Sequence, residues 1–166
     1  EGDIDPLHDI EVIETELILA DLESVIKKKE KTERMLKTGE KVYEEQLEVL
    51  KEVQATLEAG EPARVLELAP EEEKLIRDLN LLTLKPVLYA ANVGEDEIGA
   101  KANPLVNQIK DRASQEEAEV VTISAQIEAE IAEMEQDEKK IFLQELGIEE
   151  SGLDKLIKAG YKLLGL

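Results

Sequence analysis

Two short runs, each closing an apolar segment, carry the groups best suited to chemistry. Asn92-Val93-Gly94-Glu95 ends "KPVLYAANV", and Ser124-Ala125-Gln126 ends "AEVVTISA". A carboxamide, a carboxylate and backbone amides beside small residues can together read the edge of a nucleobase by hydrogen bonds. Taken alone, the first run is better read as an ordinary strand-to-loop turn, because Asn and Gly are favoured turn residues. Ser-Ala by itself carries little. The third feature is electrostatic. "KKKEKTERMLKTGEK", residues 27–41, holds seven basic residues against three acids. An exposed polar helix face accounts for it. The functional alternative is contact with RNA phosphate or an acidic protein, with Lys27, Lys28, Lys29, Lys31 and Arg34 as the contacting residues. No aromatic residues interleave the basic ones before Tyr43, so base stacking is not expected there.

These runs must be positioned by elements that the spacing predicts. Asp5-Pro6 opens a helix on which Ile10, Ile13, Leu17 and Ala20 form one stripe and Ile18, Leu22 and Val25 an adjacent one. After Ile26 the helix is expected to leave its domain as a solvent-exposed arm. Thr38-Gly39 is its turn. A second helix returns from about Glu40 to Ala59, with Tyr43, Leu47, Leu50, Val53 and Leu57 on one side. "ARVLEL", residues 63–68, reads as extended. Ala69-Pro70 followed by three glutamates starts another helix, to about Leu82 or Thr83. Then come a strand at "KPVLYAANV", a helix from Asn103-Pro104 to about Ser114, and a strand at "AEVVTISA". Lacking polar alternation, both strands are expected to be buried on both faces in a parallel sheet. Helices follow at about 126–134, 136–146 and 151–163. The predicted fold is an α/β remnant, mostly helical, with two parallel strands in a βαβ unit and a long antiparallel helical hairpin inserted.

Composition narrows the function. The 166 residues suffice for one ordinary core. A formal net charge of −20 argues against a general nucleic-acid surface. There is no cysteine, hence no disulfide and no thiolate ligand or nucleophile. The forty carboxylates read as solvated faces, and no metal is assigned to any of them. No apolar run has the length of a membrane span, and a cytoplasmic location is expected.

In open α/β sheets ligands bind beyond the carboxyl ends of the strands, which is where both loops fall. In P-loop GTPases the corresponding loops read N-K-x-D and S-A-K. Here Val93 replaces the Lys, and Glu95, one methylene longer, replaces the Asp. That departs from guanine specificity. With these loops, the stretches "DPLHDIEVIETELILADLE", "LNLLTLKPVLYAANV", "AEVVTISAQIEAEIAE" and "LGIEESGLDKLIKAGYKLLGL" make the chain resemble the Obg-like ATPases, the YchF subfamily of the P-loop NTPases. The resemblance implies a preference for ATP over GTP. It implies that Asn92 and Val93 contact adenine, that Glu95 shapes the loop, and that Ser124 and Ala125 flank the base. It implies Mg²⁺ in the intact protein, through residues not in this chain, and engagement of the ribosome. Residues 1–19 and 69–166 would be part of the nucleotide-binding domain, and 20–68 its coiled-coil arm.

No glycine of the chain is followed by lysine, so the G-K-[ST] of a phosphate-binding loop is not in it. "DEIG", residues 96–99, formally fits a D-x-x-G motif but directly follows the base loop, where that motif cannot serve. The chain opens without Met and closes on "GYKLLGL". It therefore reads as a piece of a longer protein, lacking the family's P-loop half and its TGS domain. Two functions follow: a fragment of an ATPase, inactive alone, or a non-catalytic helical module that binds protein or RNA.

Overall fold

The computed structural model describes residues 4–98 and 103–166. Gly99 of the D-x-x-G match and residues 1–3 of the expected nucleotide domain fall outside them. In chain order the elements are α1 (Pro6–Met35), α2 (Lys41–Glu58), α3 (Pro70–Ile76), β1 (Leu88–Asn92), α4 (Pro104–Gln115), β2 (Glu119–Ile123), α5 (Ala125–Ala132), α6 (Gln136–Glu145) and α7 (Gly152–Leu163). They group by packing into two units. One comprises residues 8–86, the other residues 4–7 and 87–166. This division puts 8–19 and 69–86 with the hairpin and not with the sheet.

In the 8–86 unit, α1 and α2 form the expected hairpin. A 3-10 turn at Leu36–Thr38 ends in Gly39 at φ +74°, a left-handed conformation that glycine adopts without steric cost. Thirty residues of α1 make a helix about 45 Å long. Its Ile18 and Val25 meet Val49, Leu50, Val53 and Leu57 of α2, and Ala63, Ile76 and Leu81 complete the same core. The second apolar stripe of α1 is the buried one. Ile13, of the first stripe, and Val12 and Leu19 beside it stay exposed.

Residues 27–41 are largely exposed, but three of their side chains are engaged by other elements. Thr32 is buried and donates to Gln46 Oε1 (2.9 Å), and Lys29 donates to Gln54 Oε1 (2.7 Å). Lys28 pairs with Asp78 at 2.7 Å. Two of these bonds cross the hairpin and the third reaches the turn after α3. "ARVLEL" is also not extended. Residues Ala63–Leu66 form a 3-10 turn closed by Glu67 at φ +47°. The turn is held because Ala63 N–H donates to Thr83 Oγ1 at 3.0 Å. The helix starting at Pro70 is shorter than the spacing suggested. It ends at Ile76 and continues as 3-10 turns at Arg77–Leu79 and Leu82–Leu84.

Asp21 organises these turns. Its carboxylate is buried and accepts from Leu82 N (2.9 Å), Thr83 N (2.7 Å) and Thr83 Oγ1 (2.7 Å). A charged acceptor with three donors satisfies backbone amides that a tight turn would otherwise leave unpaired.

In the other unit β1 and β2 pair in parallel, Leu88 opposite Glu119 through Asn92 opposite Ile123. Helices α4 and α7 pack against both strands. Asn103 caps α4, its Oδ1 accepting from Leu105 N and Val106 N, with Pro104 at the first helical position. A separate cluster of Ile127, Ile131 and Leu143 joins α5 to α6. The strands are less covered than expected. Ala91 and Val121 are buried, whereas Ala90 and Asn92 are exposed. With two strands among the described residues, the sheet has open edges that a wider sheet would cover.

Replacing Asp21 with Ala strands two backbone N–H groups and a hydroxyl, and is expected to cost roughly 3 kcal/mol. Asp21→Asn, which keeps an acceptor, should cost less. Urea unfolding followed by circular dichroism measures both; a loss in Asp21→Ala below about 1 kcal/mol would contradict the role assigned to this carboxylate.

Candidate functional site: two loops at the carboxyl end of the sheet

Parallel pairing brings the ends of β1 and β2 to the same edge, so the loops read from sequence lie side by side. Val93 N–H donates to Ile123 O at 2.9 Å, extending the ladder one step beyond Asn92. Asn92 Oδ1 then accepts from Ala125 N at 2.9 Å, crossing from one loop to the other. Gln126 Nε2 donates to Glu95 Oε2 at 3.2 Å, a second crossing. Asn92, Val93, Glu95, Ser124 and Ala125 are thereby brought together. Asn92 Nδ2 makes no hydrogen bond among the described residues.

Ser124 precedes the first residue of α5 and is buried, but its Oγ has no hydrogen-bond partner among the described residues. A buried hydroxyl without a partner carries a desolvation cost. The loop therefore holds an unused donor and acceptor directly beside the Asn92–Ala125 bond.

Three further residues fix this arrangement and carry no mark in the sequence as strong as Asn92. Glu97 accepts from Gly94 N and from Asn103 Nδ2, both at 3.0 Å, which ties the first loop to the cap of α4. Gln126 is the second crossing itself. Gly152 begins α7 against the end of β2. A Cβ there would lie 2.8 Å from Ile123 Cγ2 and 2.9 Å from Glu128 Oε1, so only glycine fits. Its N–H donates to Glu128 Oε1 at 2.6 Å, linking α7 to α5. One residue earlier, Ser151 Oγ donates to Asp154, which holds that carboxyl below its ordinary range.

The arrangement offers hydrogen-bonding groups beside a strongly acidic turn. Glu95, Asp96 and Glu97 form a 3-10 turn of three consecutive carboxylates, which repels anions. No cluster of three or more His, Asp or Glu arranged for a metal ion occurs among the described residues. Of the basic candidates, Lys27 pairs with Glu23 and holds that carboxyl below its ordinary range. Lys28 and Lys29 are engaged with Asp78 and Gln54 as described. Lys31 and Arg34 are exposed and make no ion pair among the described residues. The structure therefore splits the five basic residues into three engaged and two open. No described helix is long and apolar enough to cross a membrane.

A parallel strand–helix–strand unit with two cross-linked loops at its carboxyl edge defines part of a P-loop NTPase domain. The YchF GTPase of Schizosaccharomyces pombe has this fold, with a TM-score of 0.86 at 28% identity, over 99% of this chain and 45% of that one. The ribosome-binding ATPase YchF of Bacillus subtilis strain 168 is 48% identical over 99% of this chain, and that of Escherichia coli O157:H7 44% identical over the same share. In both, the match covers 45% of the relative, so the chain spans a little under half the length of the curated relatives it matches. No protein-family model matches the chain. The resemblance to the YchF subfamily of Obg-like ATPases holds along the whole sequence.

Gly152→Ala is expected to cost about 1–3 kcal/mol through overpacking at Ile123. Gly160→Ala, with nothing within 4 Å of its added Cβ, should be neutral or slightly stabilising in the interior of α7. Urea midpoints of the two variants decide. Equal shifts would show that the approach of α7 to β2 is not tight.

Proposed function

We propose that this chain is the base-recognising part of an ATPase of the Obg-like type, carrying also a helical arm, residues 20–68, inserted in a nucleotide-binding domain of residues 1–19 and 69–166. The observation that carries the reading is the bond from Ala125 N–H to Asn92 Oδ1. It uses the carboxamide oxygen to join the loops and leaves Nδ2 available to donate to an acceptor nitrogen of the base. Val93 would lie along the base, with Ser124 and Ala125 flanking it.

Glu95 supports adenine over guanine. A guanine site needs a carboxylate open to the N1 and N2 hydrogens of the base. Here that carboxylate accepts from Gln126 and spans the two loops, a shaping role. Weak use of GTP is consistent with loops that retain the purine contacts without the guanine-specific one. Phosphates and Mg²⁺ would be held by residues outside this chain, since the acidic turn beside Asn92 fits neither triphosphate nor a catalytic role. The chain alone is accordingly inactive as a hydrolase.

The relatives' name, ribosome-binding ATPase, supports a ribosomal or RNA partner for the arm and a cytoplasmic setting. Within the arm, Lys31 and Arg34 are the residues free to meet phosphate. Lys27, Lys28 and Lys29, though part of the same basic run, would have to give up partners they already have.

Titration of the purified chain with fluorescent ATP and GTP analogues tests the base reading. Saturable binding that favours the ATP analogue, weakened about tenfold by Asn92→Ala, is expected. Binding without base preference, or unaffected by the substitution, would remove it. Separately, Lys31→Glu with Arg34→Glu should weaken co-sedimentation with ribosomes, most clearly at low salt. Sedimentation equal to that of the unaltered chain would exclude these two side chains as contacts.

A further inference from the structure

The 8–86 unit has an open cleft of about 480 Å³ formed by α3, the turns that follow it, and Lys85-Pro86. Its lining combines two chemistries. Ile76 and Leu81, both buried, and half-buried Leu84 contribute apolar surface. Around them stand Lys74, Arg77 and Lys85, all exposed, against one lining carboxylate, Glu73. None of the three cations forms an ion pair among the described residues. Acids outnumber bases two to one in this chain, 40 against 20. Among the lining residues three cations thus face one carboxylate, the other acids of the segment, Glu71, Glu72 and Asp78, lying outside the cleft.

We propose that this cleft binds an acidic peptide segment bearing aliphatic side chains. Aliphatic groups would occupy the Ile76–Leu81–Leu84 surface, which gains by removing apolar area from water. Carboxylates would meet Lys74, Arg77 and Lys85, which set orientation and speed encounter more than they add affinity. RNA fits less well, because the lining has no aromatic side chain on which a base could stack. No residue of the cleft belongs to the base loops, so the site is independent of the nucleotide reading.

The test is fluorescence anisotropy of the purified chain with a short fluorescein-labelled peptide of alternating glutamate and leucine. Comparison probes are the same peptide with serine in place of leucine, and an oligouridylate. Saturable binding of the first peptide is expected, tighter than of either comparison probe. It should weaken about tenfold or more in the combined variant Lys74→Glu, Arg77→Glu, Lys85→Glu. The milder glutamine replacements at the same positions should act in the same direction, and circular dichroism verifies that each variant folds. Absence of binding overturns the proposal. So does equal affinity for the serine peptide, tighter binding of oligouridylate, or an affinity indifferent to the three cations.

Discussion

The parallel pairing of two five-residue strands is the constraint from which the site follows. Because Asn92 stands opposite Ile123, both chains leave the sheet at one edge and at one level. A shift of register by a single residue would turn Asn92 to the other face and separate its carboxamide from Ala125 N. Two short strands hold register weakly by themselves. Here it is reinforced at the edge by the Val93–Ile123 backbone bond and the two side-chain crossings. Behind the edge, Gly152 lets α7 come against Ile123 at a distance no other residue would allow. The loop crossings and the packing of α7 therefore share the same few residues.

The hairpin unit rests on a comparable economy. Asp21 is one carboxylate serving three donors in the 82–83 turn, and Thr83 passes the connection on to Ala63. Two irregular segments far apart in sequence are thus fixed to the middle of α1 through one buried charge. The hydrophobic core that surrounds it supplies the larger share of burial, yet it does not specify where the turns go; directional bonds do that.

Much of this was legible in the sequence. The two adjacent loops announced themselves because each closes an apolar strand, and parallel strands deliver such loops to one edge. Helix limits followed from Pro6, Gly39, Pro70 and Asn103-Pro104, whose conformational preferences are local. What escaped was decided by partners distant in sequence. "ARVLEL" has the composition of a strand but no neighbour to pair with, and Thr83 holds it as a turn. Lys28, Lys29 and Thr32 have the polarity of a solvated surface, yet Asp78, Gln54 and Gln46 meet them. Glu97 and Gln126 resemble any other polar loop residue until the fold sets Gly94, Asn103 and Glu95 beside them. The burial expected of the strands is incomplete because only two strands pair among the described residues, which leaves Ala90 and Asn92 exposed.

The 8–86 unit is a single continuous stretch of chain, and its core draws on nothing that follows Pro86. The sheet unit instead needs β1, α4, β2 and α7, which span almost everything from Leu88 to Leu163. On a ribosome delivering residues from the N-terminus, the hairpin with its turns can acquire its packed core while β2 is still unsynthesised. β1 with its Asn92 loop cannot pair with β2 until about thirty further residues have been made. A folded, highly charged neighbour already attached to that waiting strand would keep it soluble during the interval.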